Sequence, residues 1–192
     1  MSDYIKIGLK VTWLIVLAYW FISGLSAKKV EHQETFFKRF VQYWLPLIIA
    51  ILLLGPGDWY GHTWLRDNFI EHTNLVGIIG LSISVIGAII ACVSRYILGK
   101  NWSLSVQRKE GHQLIQNGIY KLIRHPIYTG LLLLFTGNAV IVGDYRAIIA
   151  VLIVFVSLWL KLKKEEKILT ETFGVKYTEY IKQTKALIPY LL

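Results

Sequence analysis

The sequence predicts an all-α integral membrane protein with about five transmembrane helices. Of its 192 residues, 55% are hydrophobic, and the mean hydropathy is +0.50, whereas soluble domains contain roughly 45–50% apolar residues. The apolar residues occur in long runs, and lysine and arginine gather between alternate runs. These three observations together favour a membrane protein over a soluble domain.

Five apolar runs reach or approach the length of about 20 residues that a helix needs to cross a bilayer core about 30 Å thick. The first run is too long and too aromatic for a signal peptide, and no small-residue cleavage site follows it, so we expect a retained span. The fourth and fifth runs are joined by VGDYR alone, which predicts a tight antiparallel hairpin. The predicted spans are residues 5–25, 41–56, 76–98, 127–143 and 145–162.

The basic residues predict the orientation of these spans, because lysine and arginine concentrate in cytoplasmic loops. Most of the 21 basic residues lie in segments 26–40, 95–126 and 161–192. The exceptions are Lys6, Lys10, Arg66 and Arg146. We therefore expect the N-terminus outside and the C-terminus in the cytoplasm. The net charge of +9 then follows from topology and indicates membrane lipid, not nucleic acid, as the neighbour.

The third run carries a small residue at every fourth position. The residues concerned are Gly80, Ser84, Ala88 and Cys92. This spacing lets helix backbones approach closely in lipid. The stripe serves packing within a monomer or, in the alternative, a homodimer formed through Gly80, Ser84 and Ala88. Cys92 is the single cysteine, so no intrachain disulfide can form.

Two other patterns carry no predicted chemistry. The stretch GPGDWYG, residues 55–61, follows a membrane run and not a strand, and it lacks the spacing of a dinucleotide-binding turn, so we expect a loop. His32, His62 and His72 stand in polar connections without a second ligand at helical or zinc-finger spacing. We predict no metal site.

The segment 95–128 is too polar to cross a membrane and reads RYILGKNWSLSVQRKEGHQLIQNGIYKLIRHPIY. Three short motifs stand out in and just after this segment: LGKNWS, HQLIQNGIY and RHPIYTG. Near the C-terminus of the sequence, a further stretch reads EEKILTETFGVKYTEY and is followed by LIP. The last stretch has its signature positions at Glu165, Glu166, Phe173, Gly174, Tyr177 and Tyr180. Over about residues 80–190, these pieces resemble the isoprenylcysteine carboxyl methyltransferase family and its relatives among the membrane phospholipid methyltransferases.

This resemblance implies an all-helical membrane enzyme that binds S-adenosyl-L-methionine (SAM) and releases S-adenosyl-L-homocysteine (SAH). We expect one membrane domain, with the first two spans in residues 1–75 and the catalytic core in residues 76–192. The cofactor pocket is expected at the cytoplasmic face, between segment 99–128 and the C-terminal helix. The residues that the resemblance assigns to the cofactor are Gln107, His112, Gln113, Leu114, Ile115, Tyr120, His125, Pro126, Ile127, Tyr128 and Glu165.

The side chains of this region also suit such a cofactor. SAM has an adenine face, ribose hydroxyls, an amino-acid group and a sulfonium cation, so its pocket needs aromatic walls, hydrogen-bonding groups and a carboxylate. Pro126, in the first turn of the fourth span, leaves free amides at a helix N-terminus, where the cofactor carboxylate is favoured. In the alternative, the histidines and tyrosines lie among lipid headgroups and Glu165 pairs with Lys161. We expect a structural role for Glu166.

The methyl acceptor is expected to be an amphiphilic small molecule or a lipidated group that arrives from the membrane. The carboxyl methyltransferases that the chain resembles hold the substrate carboxylate with an arginine, where this chain has Lys161. A lysine lacks the bidentate guanidinium fork. Lys161 and Arg124 are the predicted acceptor-binding residues. A prenylcysteine-type carboxylate, a phospholipid amine and a small thiol stay open as acceptors, and no catalytic residue is assigned because an anionic acceptor needs no general base.

Two other functions stay open from the sequence. An NADPH-dependent membrane reductase of the sterol-reductase type would place a nicotinamide in the same pocket. A transporter or lipid-binding protein would carry ionisable residues inside its spans, where this sequence has almost none. A measurement of SAM and NADPH binding distinguishes the methyltransferase from these two functions.

Overall fold

The computed structural model describes residues 1–25, 35–99, 102 and 113–189, and within these ranges the fold is helical. The α-helices are α1 (Asp3–Gly24), α2 (Phe36–Arg39), α3 (Leu45–Leu53), α4 (Asn74–Leu98), α5 (Pro126–Val142), α6 (Tyr145–Phe173) and α7 (Val175–Gln183). A π-helix, Phe40–Trp44, joins α2 to α3, and short 3-10 turns occupy Gly57–Tyr60, Trp64–Arg66 and Gly118–Lys121. The predicted all-α class is confirmed, and GPGDWYG lies in a loop as expected.

Three of the predicted spans are helices long and apolar enough to cross a membrane. They are α1, α4 and α6, with 22, 25 and 29 residues. The fourth predicted span, α5, is apolar but has 17 residues. The second is divided between the π-helix and α3, and α3 has a proline in its first turn. For these two segments, a crossing of the membrane stays a prediction.

The small-residue stripe of α4 packs against α5 in the same chain. A Cβ atom added to Gly130 of α5 would lie 2.6 Å from the backbone nitrogen of Ala91 and 2.6 Å from the carbonyl oxygen of Gly87. The Ser84 hydroxyl donates a 3.3 Å hydrogen bond to the carbonyl oxygen of Leu134. Only small residues allow two helix backbones to approach this closely.

The alternative of a homodimer through Gly80, Ser84 and Ala88 needs an exposed face on α4, and the structure leaves none at these three residues. All three residues are buried, because α5 covers the face of α4 on which they lie. The stripe serves packing within the chain.

The hairpin between α5 and α6 has the predicted antiparallel form. Gly143 ends α5 with φ +74°, a left-handed conformation that glycine adopts without strain. The preceding loop fixes this turn, since Phe69 N–H donates to the Gly143 carbonyl oxygen over 3.0 Å and Tyr145 N–H donates to the Asp67 carbonyl oxygen over 3.2 Å.

The fifth predicted span, residues 145–162, is shorter than the helix in the structure. We expected an apolar span to residue 162 and a C-terminal helix beside the cofactor pocket. Instead, α6 continues without a break to Phe173, and Gly174, with φ +55°, separates it from α7. Glu165 and Glu166 therefore project from the same long helix that packs against α3 and α5, which fixes their positions relative to the first turn of α5.

Candidate functional site

The chain just before α5 runs beside the segment that follows α7. The backbone N–H groups of Arg124 and His125 donate to the carbonyl oxygens of Lys185 and Ala186 over 2.8 and 3.0 Å. Pro126 has no N–H and disfavours a helical backbone at the residue before it. His125, with φ −122° and ψ 57°, accordingly stands at the N-cap of α5. This pairing holds the two side chains against α6.

His125 and Tyr128 lie one helical turn apart, on the side of α5 that faces Glu165. Their rings are parallel to within 3°, with centroids 5.4 Å apart. The Tyr128 hydroxyl donates a 2.6 Å hydrogen bond to Oε1 of Glu165, and Nδ1 of His125 lies 3.5 Å from Oε2 of the same carboxylate. One phenol and one imidazole thus face the two oxygens of a carboxylate whose side chain is 23% exposed.

The neighbouring Glu166 has a different partner. Arg124 Nε donates a 2.7 Å hydrogen bond to Glu166 Oε1, and the two side chains are 9% and 14% exposed. Nη1 of Arg124 donates to the carbonyl oxygens of Ile181, at 3.3 Å, and Thr184. Arg124 therefore joins α6 to the end of α7 through charge-assisted hydrogen bonds. This arrangement fits the structural role expected for Glu166.

His125 is buried between these two carboxylates. Burial lowers the pKa of His125, but hydrogen bonding and charge from Glu165 and Glu166 outweigh burial and raise that pKa above its ordinary value. Nε2 of His125 lies 3.5 Å from Glu166 Oε1, and Nδ1 lies at the same distance from Glu165 Oε2. The imidazole thus lies between the two carboxylates and balances their negative charge.

Two buried tyrosines, Tyr120 and Tyr180, connect the elements around the site. The Tyr120 hydroxyl donates to the carbonyl oxygen of Ser94 over 3.3 Å, and the Tyr180 hydroxyl donates to the carbonyl oxygen of Tyr120 over 2.5 Å. Burial raises the pKa of Tyr120 and raises the pKa of Tyr180 to about 12, so both phenols stay neutral near pH 7. Their bonds connect α4, the 3-10 turn and α7.

Lys161 lies on α6 one turn before Glu165. Its Nζ is 5.2 Å from the ring centroid of Tyr43 and 5.5 Å from that of Tyr128, both within the range of a cation–π contact. Tyr43 belongs to the π-helix and is 8% exposed. The ammonium group is therefore held next to the aromatic side of the carboxylate site.

The structure brings six of the thirteen predicted site residues together. Those gathered around the α5 N-terminus and α6 are His125, Pro126, Ile127, Tyr128, Lys161 and Glu165. In the stretch leading to the 3-10 turn, Gln113 is exposed, and Leu114 and Ile115 are half-buried. Gln107 and His112 lie outside the described residues. Ile127 packs into the buried cluster shared by α5 and α6.

The helix N-terminus offers fewer amides than the sequence suggested. Pro126 has no N–H, and the N–H groups of Tyr128 and Thr129 both donate to the carbonyl oxygen of His125. Within the described part of the chain, this leaves Ile127 as the one first-turn amide available to a ligand.

Sequence reasoning missed Tyr43 and the two carbonyl oxygens that bind Arg124. Tyr43 stands in a run that we interpreted as an unbroken span, and its aromatic ring gave no separate signal there. The carbonyl oxygens of Ile181 and Thr184 are backbone groups, which no side-chain motif reveals. The position of Lys161 one turn before Glu165 was the available signal that α6 continues as a helix.

The arrangement presents two groups of opposite charge side by side. A carboxylate held by a phenol and an imidazole can bind a cationic group, and the adjacent ammonium can bind an anion. Aromatic rings lie beside both groups, which favours flat or cationic ligands. Such a site suits two ligands that meet between α5, α6 and the π-helix.

Known proteins resemble the chain over most of its length. A family model described as phospholipid methyltransferase matches residues 75–176. Protein-S-isoprenylcysteine O-methyltransferase B of Arabidopsis thaliana is 27% identical over 146 residues, 74% of this chain and 68% of the relative. Protein-S-isoprenylcysteine O-methyltransferase A of the same plant is 28% identical over 158 residues, 78% of this chain and 74% of the relative.

A solved structure of the eukaryotic intramembrane Ras methyltransferase ICMT (isoprenylcysteine carboxyl methyltransferase) has a similar fold. The match has a TM-score of 0.56 at 22% sequence identity and covers 84% of this chain. The chain spans 55% of the length of that protein. At this identity the likeness concerns the fold.

The family model covers more than half of the chain, from the start of α4 into α7. The matched region includes His125, Tyr128, Lys161 and Glu165. The resemblance predicted from the sequence motifs is thereby confirmed. The chain belongs to the phospholipid methyltransferase family.

Proposed function

We propose that the protein is a SAM-dependent methyltransferase that acts at the membrane interface on an amphiphilic acceptor and releases SAH. The observation that supports this proposal most strongly is the Glu165 carboxylate, which Tyr128 and His125 hold beside the ammonium group of Lys161. A cation-binding group for the cofactor and an anion-binding group for the acceptor then lie next to each other.

The chemistry of the side chains fits SAM. The Glu165 carboxylate can bind the cationic amino group of the cofactor, and the His125 and Tyr128 rings supply an aromatic wall. The Ile127 amide lies in the first turn of α5, and a helix N-terminus suits the cofactor carboxylate. When bound, SAM supplies an electrophilic methyl group on its sulfonium.

The other residues that the resemblance assigns to the cofactor complete the proposed site. They are Gln107, His112, Gln113, Leu114, Ile115, Tyr120 and Pro126. Tyr120 supports the site through its bonds to α4 and α7. Pro126 ends the extended stretch, so that His125 and Tyr128 lie one turn apart. Arg124 is not carried forward as an acceptor-binding residue, because its donors bind Glu166 and two backbone carbonyl oxygens.

Lys161 is the proposed acceptor-binding residue. The Arabidopsis relatives are named for a prenylcysteine acceptor, and an anionic carboxylate of that type would bind an ammonium group. Because a carboxylate acceptor carries no proton to remove, the chain's own residues need only hold and orient it. A phospholipid amine or a neutral thiol has no negative charge on its nucleophilic atom for this ammonium group to bind.

The membrane orientation belongs to the same proposal. We place the N-terminus outside and the C-terminus in the cytoplasm, because the basic residues are concentrated in the segments that follow α1, α4 and the apolar part of α6. SAM would then reach Glu165 from the cytoplasm, while the acceptor reaches Lys161 from the bilayer.

Methyl transfer from radiolabelled SAM in reconstituted membranes tests this function. The acceptors are N-acetyl-S-farnesyl-L-cysteine and phosphatidylethanolamine, and the variants are Lys161→Ala, Lys161→Arg and the exposed control Lys167→Ala. We expect methylation of the farnesylcysteine, an acceptor KM raised about tenfold or more in Lys161→Ala, partial or full activity in Lys161→Arg, and no change in the control.

Methylation of phosphatidylethanolamine alone, with Lys161→Ala as active as the unaltered protein, would assign the amine as acceptor. Binding of NADPH in place of SAM would overturn the methyltransferase proposal in favour of a reductase.

A further inference from the structure

The loop between α3 and α4, residues 55–73, exposes two tryptophan rings at the end of the bundle opposite the candidate site. Trp59 and Trp64 stand on the two consecutive 3-10 turns of this loop, and they are 63% and 62% exposed. The Thr63 hydroxyl donates a 3.0 Å hydrogen bond to the carbonyl oxygen of Tyr60, which joins the two turns. Two large rings on one short, internally bonded loop indicate a surface that contacts a partner or a membrane.

The loop is fastened to both α3 and α6. Arg146 of α6 is buried, and its Nη1 donates to the carbonyl oxygens of Leu53 over 2.9 Å and of Gly55 over 2.5 Å. The Tyr60 hydroxyl donates a 3.0 Å hydrogen bond to the carbonyl oxygen of Leu52. Side chains of α6 and of the loop therefore bind the carbonyl groups at the end of α3, and the loop has a fixed height relative to both helices.

The aromatic rings of the loop continue the exposed apolar sides of these helices. A Cβ atom added to Gly55 would lie 2.8 Å from the Trp59 ring, so this ring lies beside the end of α3, next to the exposed Leu52. The Phe69 and Tyr145 rings are in contact, with centroids 6.4 Å apart, and Tyr145 is exposed at the start of α6. Lipid that covers α3 and α6 therefore also reaches the rings of the loop.

The length of α6 indicates the depth of the loop. This helix is long and apolar enough to cross a membrane, and the residues between Arg146 and Lys161 are uncharged. From Arg146 to Lys161 the helix rises about 22 Å, at about 1.5 Å per residue, whereas a bilayer core is about 30 Å thick. Arg146 and the carbonyl groups that it binds therefore lie at the boundary of the core, where backbone groups must be bonded within the protein.

We infer that the 55–73 loop is a membrane anchor. It lies in the headgroup and carbonyl layer of the leaflet opposite the candidate site, with the Trp59 and Trp64 rings inserted. Tryptophan concentrates at this depth because its ring is apolar and its N–H still finds a polar partner. The lipid is zwitterionic and not anionic, because the carboxylates of the loop outnumber its basic group; these residues are Asp58, Asp67, Glu71 and Arg66. The inference does not depend on the proposed function.

Fluorescence quenching by lipid tests the insertion of each ring. Trp59→Phe and Trp64→Phe each remove one fluorophore and keep an aromatic ring, so the emission lost relative to the unaltered protein belongs to the missing tryptophan. We expect this difference to be at least twofold smaller in vesicles of phosphatidylcholine brominated near the carboxyl end of its acyl chain than in unbrominated vesicles. Quenching of this emission by aqueous iodide, without quenching by the brominated lipid, would overturn the inference.

A nitroxide label measures the depth with both tryptophans in place. In the cysteine-free variant Cys92→Ala, the label is attached at His62→Cys in the loop, at Ile86→Cys on the exposed side of α4 as the lipid reference, and at Lys176→Cys on the exposed side of α7 as the water reference. We expect the ratio of collisions with oxygen to collisions with a water-soluble nickel complex to be at least threefold higher at His62 than at Lys176. Equal ratios at these two positions would place the loop in water and contradict the anchor.

The choice of lipid and the exclusion of a protein partner are tested with the same two tryptophan variants. We expect brominated phosphatidylserine, mixed into phosphatidylcholine vesicles, to quench Trp59 and Trp64 no more strongly than an equal fraction of brominated phosphatidylcholine. Quenching at least twofold stronger by the phosphatidylserine would overturn the zwitterionic assignment. Protection of both rings from brominated lipid and from iodide would show that a second copy of the chain covers them, and it would overturn the anchor.

Discussion

Tyr128 of α5 donates a 2.6 Å hydrogen bond to Glu165 of α6, and this bond joins the first turn of one helix to the carboxylate at the centre of the site. The ring of Tyr128 also stacks on His125 and lies 5.5 Å from Lys161 Nζ. A single side chain therefore sets the positions of the cation-binding and anion-binding groups relative to each other.

Tyr128→Phe removes this bond and keeps the ring. A hydrogen bond to a charged group contributes about 1.5–3 kcal/mol, so we expect the SAH dissociation constant to rise about tenfold or more. Tyr145→Phe, at an exposed tyrosine of the same helix pair, is the control. Isothermal calorimetry in detergent measures both, and equal affinities would show that Glu165 is held without Tyr128.

Arg124→Met removes a nearly buried cation and leaves the Glu166 carboxylate without its partner. Breaking a buried ion pair from one side costs about 3–5 kcal/mol, so we expect a large fall in the unfolding temperature. The double variant Arg124→Met/Glu166→Gln should lose less than the sum of the two single variants. A fall no larger than that of Arg66→Met, at a half-exposed arginine, would contradict the structural role of the pair.

The stability should depend on pH through His125. Its pKa is raised in the folded protein, so the folded state binds the proton more tightly than the unfolded state, whose pKa is about 6.5. The stabilisation is complete below that value and is lost as the pH rises through the raised pKa. We expect the unfolding temperature to fall over this interval, and His125→Gln to lack this component while the exposed His62→Gln keeps it. An identical pH profile in His125→Gln would contradict the assignment.

The close approach of α4 and α5 is testable at Gly130. An added methyl group would lie 2.6 Å from backbone atoms of Gly87 and Ala91, so Gly130→Ala must separate the helices, at a cost of about 1–3 kcal/mol. At Gly24, in the last turn of α1, the nearest atom to an added methyl is 4.0 Å away, and Gly24→Ala should be tolerated. Thermal unfolding of both variants measures the difference, and equal stability would place the tight contact elsewhere.

The sequence was sufficient to predict the long apolar helices and the helical hairpin whose turn begins at Gly143. These features depend on local signals: continuous apolar runs, and a glycine and an aspartate between them. The π-helix at Phe40–Trp44 and the continuation of α6 to Phe173 were not predictable in this way. An apolar run has the same hydropathy pattern whether it forms an α-helix or a π-helix. The stretch after residue 162 is polar, so its hydropathy gives no signal that the helix continues.

The sequence motifs predicted which residues belong to the site, but they did not predict which of these residues contact each other. Glu165 and Glu166 are adjacent in sequence and point in directions about 100° apart on a helix. Which glutamate meets Tyr128, and which meets Arg124, depends on the pairing of residues 124–125 with residues 185–186. That contact joins parts of the chain about 60 residues apart, and no local pattern specifies it.

The affinity of the purified protein for SAH tests the central claim most directly. Calorimetry should give saturable binding to the unaltered protein, a dissociation constant raised about tenfold or more in Glu165→Gln, which keeps the size and removes the charge, and no change in the exposed control Glu171→Gln. Absence of SAH binding to the unaltered protein, or equal affinity in Glu165→Gln, would contradict the account.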